Sequence, residues 1–214
     1  MEKFNKTARA APWLLCLTLV IATPVAHGAI LNNGDIGPPS FLVPGGTLLA
    51  SMSGKITTQS FSTSYETWVY SDPNNTFCAG CLDFVYQFTN HGPDVNERFT
   101  MFNFLNGMKV DAGYDPGKPG QPPITVNRSL SGEVIGFNYN AKDDLDPGKT
   151  TSLLVIEVNA TKFTKGFVTA QDGTAGFAAA FQPAGTLFVI PEPSTLSLLG
   201  GGLLFVGGFF RKFW

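Results

Sequence analysis

Between residues 82 and 89 the chain reads Leu-Asp-Phe-Val-Tyr-Gln-Phe-Thr, placing Leu82, Phe84, Tyr86 and Phe88 on one side and Asp83, Gln87 and Thr89 on the other. Such a period of two marks a strand with one buried face. Ile135, Phe137 and Tyr139 repeat it, with Gly136, Asn138 and Asn140 opposite. Leu153 to Val158 is continuously apolar apart from Glu157, which predicts a strand covered on both faces. Further strands are predicted over Leu48–Ser53, Ile56–Phe61, Tyr65–Tyr70, Arg98–Phe104, Phe163–Ala170, Thr174–Phe181 and Thr186–Ile190. Turn signals separate them at Asn90-His91-Gly92-Pro93, Asp146-Pro147-Gly148 and Asp172-Gly173. Many short strands without helical crossovers predict an all-β, antiparallel β-sandwich, with a jelly roll as the nearest variant. Asp111 to Pro123, with three Gly and four Pro, is predicted to be a long exposed loop and not a central strand.

Two apolar runs at the ends break this rhythm. Lys3, Lys6 and Arg9 precede an apolar stretch from Ala10 to Ala22, and Pro24 and Ala26-His27-Gly28 follow. Basic, apolar and small-residue regions in that order predict a secretory signal peptide over residues 1–28, a signal helix cut between Gly28 and Ala29 by signal peptidase. At the other end fifteen uncharged residues, Leu196 to Phe210, lead to Arg211 and Lys212. A transmembrane helix is predicted over 195–210. At 1.5 Å per residue it is short for a hydrocarbon core of about 30 Å, so it needs its flanking residues and some bilayer thinning. Arg211 and Lys212 form a cytoplasmic basic anchor under the positive-inside tendency, leaving the body outside the inner membrane.

Composition sharpens the picture once these ends are set aside. Only 14% of the residues are charged, against about 25% in an ordinary soluble domain. Residues 29–190, the predicted ectodomain, hold nine Lys or Arg and fourteen Asp or Glu, a net charge near −5. An acidic body argues against nucleic-acid binding. Intrinsic disorder and a long coiled coil are excluded by the 43% hydrophobic content and by the absence of heptads. The 19 Phe then serve as inward-facing core, and the 24 Gly and 15 Pro as turn formers.

The tripeptide Pro191-Glu192-Pro193, the Gly-rich apolar stretch and the basic end resemble the PEP-CTERM sorting signal of Gram-negative bacteria. The three parts stand in the same order, at the same end, with a signal peptide opposite. The resemblance covers about residues 189–214. The basic cluster is shorter than usual, and Phe213-Trp214 trail behind it. It implies that exosortase, a membrane-embedded cysteine transpeptidase, recognises Pro191, Glu192 and Pro193 and removes the anchor. The segment Phe77 to Phe84, with Tyr86-Gln87 and Asn90, is similar to ectodomains of other exported proteins carrying this signal, which implies no activity.

Candidate chemistry in the body is sparse. Cys78-Ala79-Gly80-Cys81 is read first as a structural disulfide in an oxidising compartment, against free or metal-linked thiols and a redox pair. Asp143, Asp144 and Asp146 beside Pro147-Gly148 form a weak calcium candidate without the full Asp-rich loop; a solvated turn is the default. Tyr65, Trp68 and Tyr70 are candidate glycan contacts, with packing as the competing role. No nucleophile elbow is present, and His91 sits in a Gly/Pro turn. No catalytic residues and no cofactor are expected. The chain is expected to be a non-enzymatic surface or matrix protein, structural or adhesive in the envelope or exopolysaccharide. A carbohydrate-binding module and, behind it, a secreted hydrolase are the alternatives.

Overall fold

The computed structural model describes residues 30–105, 107–139 and 142–185. The signal segment, the Gly28–Ala29 bond, the strand expected over Thr186–Ile190, Pro191, Glu192, Pro193, the transmembrane helix and Arg211 and Lys212 lie outside them.

Twelve strands follow in chain order: β1 (Ile36–Gly37), β2 (Ser40–Phe41), β3 (Thr47–Thr57), β4 (Phe61–Asp72), β5 (Cys81–Pro93), β6 (Arg98–Met101), β7 (Val110–Tyr114), β8 (Thr125–Arg128), β9 (Ile135–Asn138), β10 (Leu154–Val158), β11 (Phe163–Asp172) and β12 (Thr174–Pro183). They form two six-stranded sheets. Sheet A has the order β1-β8-β9-β6-β11-β12 and sheet B the order β2-β7-β10-β5-β4-β3. All pairings between these strands are antiparallel except β2 with β7. The class is therefore the predicted one, an all-β two-sheet stack.

The inward halves of the alternating strands meet between the sheets. Leu82, Phe84, Tyr86 and Phe88 of β5 are buried together with Phe99, Met101, Ile135, Phe137 and Val168 of sheet A. Phe88 stacks on Phe99 with ring centroids 4.1 Å apart, joining the two layers. Tyr86 carries its hydroxyl into the same core and donates to the Phe181 carbonyl at 2.8 Å. Each such aromatic adds about 1.5–3 kcal/mol by leaving water.

Three expectations about the connections are corrected. The strands expected at Leu48–Ser53 and Ile56–Phe61 are one strand, β3, with a bulge between Leu48 and Ala50, and Phe61 opens β4. The turn expected at Asn90–Pro93 is the irregular end of β5, where Phe61 pairs with Pro93. The loop expected over Asp111–Pro123 begins with β7, a buried strand between β2 and β10. All four prolines lie beyond Tyr114, so residues 110–114 keep every N–H the ladder needs. Gly113 suits the parallel approach of β2, because a Cβ there would lie 1.9 Å from the Ser40 carbonyl oxygen.

The first described residues tie both sheets together. Ile36–Gly37 join the edge of sheet A, and Ser40–Phe41 the edge of sheet B. The strap 42–46 then leads from β2 to β3, the opposite edges of sheet B, and Leu42 packs with Val85 and Val155 on that sheet's outer face. Arg128 holds the neighbouring turns: its buried guanidinium donates to the carbonyls of Gly132, Leu31, Met108, Phe104 and Leu105.

Candidate functional site

The outer face of sheet B gathers most of the body's unusual chemistry. Register places Tyr70 of β4, Asp83 of β5, Glu157 of β10 and Asp111 of β7 in one line across four neighbouring strands. An alternating strand would normally show such residues to water. Here Asp83, Asp111 and Glu157 are 0%, 1% and 5% exposed, and Asp72 at the end of β4 is 2% exposed. The cover is the strap 42–46 together with the hairpin from Pro73 to Gly80, which folds back over the sheet.

The hairpin is held down by the acids themselves. Asn74 N–H donates to Asp72 Oδ1 at 2.7 Å, Asn75 Nδ2 to Asp83 Oδ1 at 2.8 Å, and Thr76 N–H to Glu157 Oε2 at 3.1 Å. Ser40 Oγ donates to Asp111 Oδ1 at 2.6 Å. The second oxygens of Asp83 and Asp111 are buried without a hydrogen-bond partner. Burial, with the charges of Glu157 and Asp72, raises the Asp83 carboxyl to about 8 despite the hydrogen bond from Asn75. Burial and the charge of Glu157 likewise raise Asp111 to about 6, against the lowering by Ser40. Among the described residues no three acidic, His or Cys side chains are arranged to hold a metal ion.

Cys78 and Cys81 form a disulfide, with Cα atoms 5.3 Å apart, in the last turn of this hairpin. Gly80 takes a left-handed φ of +80° there, which a residue without Cβ adopts freely. The ring lies at the start of a strand and not at a helix N-terminus, the setting that activates redox cysteines.

The three aromatic glycan candidates are not brought together. Tyr65 faces the inter-sheet core and donates its hydroxyl to the Ala179 carbonyl. Trp68 and Tyr70 lie on the outer face, half-buried against Leu42, Val85, Val155 and Leu153. Strand alternation explains the split, since residues 65 and 68 have opposite parity. Of the calcium candidates, Asp143 is exposed and accepts a bond from Gln121 at its carbonyl, as does half-buried Asp144. Asp144 Oδ1 is unpartnered, and burial, Glu97, Asp146 and Asp143 raise that carboxyl. Asp146 is exposed.

Sequence reasoning missed one nucleophile–base contact. Ser64 Oγ and His91 Nε2 lie 2.8 Å apart on β4 and β5. Ser64 sits within the β4–β5 ladder, opposite Thr89. Among the described residues no carboxylate is bonded to that imidazole, so the pair lacks the third group of a triad. Two open hollows share Gln87: one of about 590 Å³ between Pro119-Gly120-Gln121 and Gly148-Lys149-Thr150, and one of about 270 Å³ beside Ser53, Ser64 and Glu66. Neither brings two carboxylates together, as acid–base hydrolysis of a glycoside requires.

Comparison with known proteins adds one match. The family model described as the PEP-CTERM protein-sorting motif matches residues 189–212. No curated protein and no solved structure matches the chain. The chain thus carries a PEP-CTERM protein-sorting motif behind a β-rich domain. The motif implies export, a C-terminal membrane-anchored sorting signal and processing by exosortase.

Proposed function

We propose that the protein is an exosortase-sorted component of the bacterial surface or extracellular matrix, with a structural or adhesive ectodomain and no catalytic activity. The observation that carries this reading is the sorting motif at residues 189–212 directly behind a disulfide-stapled β-sandwich. Signal peptidase removes residues 1–28, the 195–210 helix holds the chain in the inner membrane, and exosortase then passes it to the envelope or exopolysaccharide. The non-enzymatic reading draws support from the lone Ser64–His91 pair and from hollows without converging carboxylates. Deleting exosortase should leave the full-length form in the inner membrane; normal release from that strain removes the sorting claim.

A second reading, carbohydrate binding, is favoured by one observation. Trp68 is half-buried on the same face of β4 as Glu66, which lines the hollow around Gln87 and Thr89. Retention on the cell's own polysaccharide that disappears in Trp68→Ala would support it, and equal retention of both forms would end it.

A further inference from the structure

The covered face of sheet B poses a charge problem. Asp72, Asp83, Glu157 and Asp111 are all at most 5% exposed. The groups facing Asp83 are Tyr70 and Asp72 from β4, Glu157 from β10, Asp111 beyond it on β7, and Asn75 and Thr76 from the hairpin. None of these is a cation, and among the described residues the charges acting on Asp83 are those of Glu157 and Asp72. Like charges in a low-dielectric site cannot all remain ionised. Asp72 and Asp83 share one face of the paired strands β4 and β5, two register positions apart, so one proton between them relieves the repulsion, as in other carboxyl pairs that share a site. It also gives a role to the Asp83 Oδ2 atom that otherwise stands buried and unpartnered.

We propose that the hairpin from Pro73 to Gly80 is a proton-dependent latch, closed over the acid row while the Asp72–Asp83 pair holds a proton and released as the medium turns alkaline. The geometry couples the two events directly. Asn74, Asn75 and Thr76 are each bonded to one acid of the row, so opening the hairpin admits water to all of them. The Cys78–Cys81 bond keeps the end of the hairpin together, so the segment lifts as one flap. The sign follows from linkage. The closed state holds the Asp83 proton up to about 8, whereas a hydrated carboxyl releases it near 3.8. Rising pH therefore favours the open state throughout that interval and has no further effect above it.

Amide hydrogen exchange of the hairpin, on the protein at its native length, tests this. After division by the intrinsic exchange rate, protection of residues 74–81 should fall about tenfold per pH unit between about 4 and 8, then level off. Asp83→Asn keeps an acceptor for Asn75 and cannot ionise, so its protection should be nearly independent of pH. Flat protection in the wild-type chain, or an unchanged slope in Asp83→Asn, overturns the proposal. Should millimolar calcium restore wild-type protection above pH 8 and leave Asp83→Asn unaffected, a metal ion and not the proton closes the latch, and the proposal falls. The wild-type profile decides the matter alone if the variant does not fold.

Discussion

The two outer faces of the sandwich are built from the same kind of alternating strand and have opposite fates. On sheet A, Phe167 and Phe177 stand in the open, 57% and 73% exposed, edge to face with ring centroids 6.4 Å apart. On sheet B the equivalent face is roofed by a strap and a hairpin, so Val85, Val155 and Leu42 form a second small core beside a row of buried acids. Alternation settles which side chains leave the central core, and the connections settle what they meet there. An outward position is thus a surface position at Phe167 and Phe177 and an interior one under the roof at Asp83, Val85 and Val155.

The largest effect is expected where a connection, and not a strand face, supplies the order. Arg128→Ala would take the guanidinium donor from five backbone carbonyls of the turns flanking sheet A, with Leu105 O keeping the Met108 N–H. A loss of about 3–5 kcal/mol in denaturant unfolding is expected, as for a broken buried polar network. A loss under about 1 kcal/mol would mean that those turns are held by the strands. Next comes the pH dependence of the roofed face. Asp111, raised to about 6 by burial, contributes stability that is fully present below about 3.8 and is lost as pH rises through 6. Asp111→Asn should remove that part of the slope, a gain of about 3 kcal/mol at pH 7.

Two further comparisons sharpen the contrast. Leu42→Ala, in the roof of sheet B, should cost about 2–3 kcal/mol, whereas Phe177→Ala, on the open face of sheet A, should stay within about 0.5 kcal/mol. Similar losses for both would show that sheet A is also covered. Among the roofed positions the smallest effect belongs to the hairpin staple. Replacing Cys78 and Cys81 by Ala should lower stability by about 2 kcal/mol, the chain entropy of so short a ring, and should raise proteolysis between Pro73 and Gly80 first.

Much of the fold was legible because period-two alternation is local. The runs at 82–89, 135–139 and 153–158 became β5, β9 and β10, and Glu157 interrupting an apolar run marked a doubly covered strand. β7 was not legible, because the Gly and Pro count of residues 111–123 was averaged over a segment whose prolines all follow Tyr114. The acid row was not legible either: Asp83 and Asp111 are 28 residues apart and meet only through Glu157 of a third strand. Parity alone separates Tyr65 from Trp68 and Tyr70, a signal present in the sequence. The sorting motif was fully legible, since its recognition rests on contiguous residues and not on the fold.

Intact-mass measurement of the native protein, from cells with and without exosortase, tests the central claim most directly. With exosortase the chain should begin at Ala29 and end within or near Pro191-Glu192-Pro193, with any attached group appearing as added mass. Without exosortase the same N-terminus should be followed through to Trp214. Identical masses from the two strains would contradict sorting by this signal.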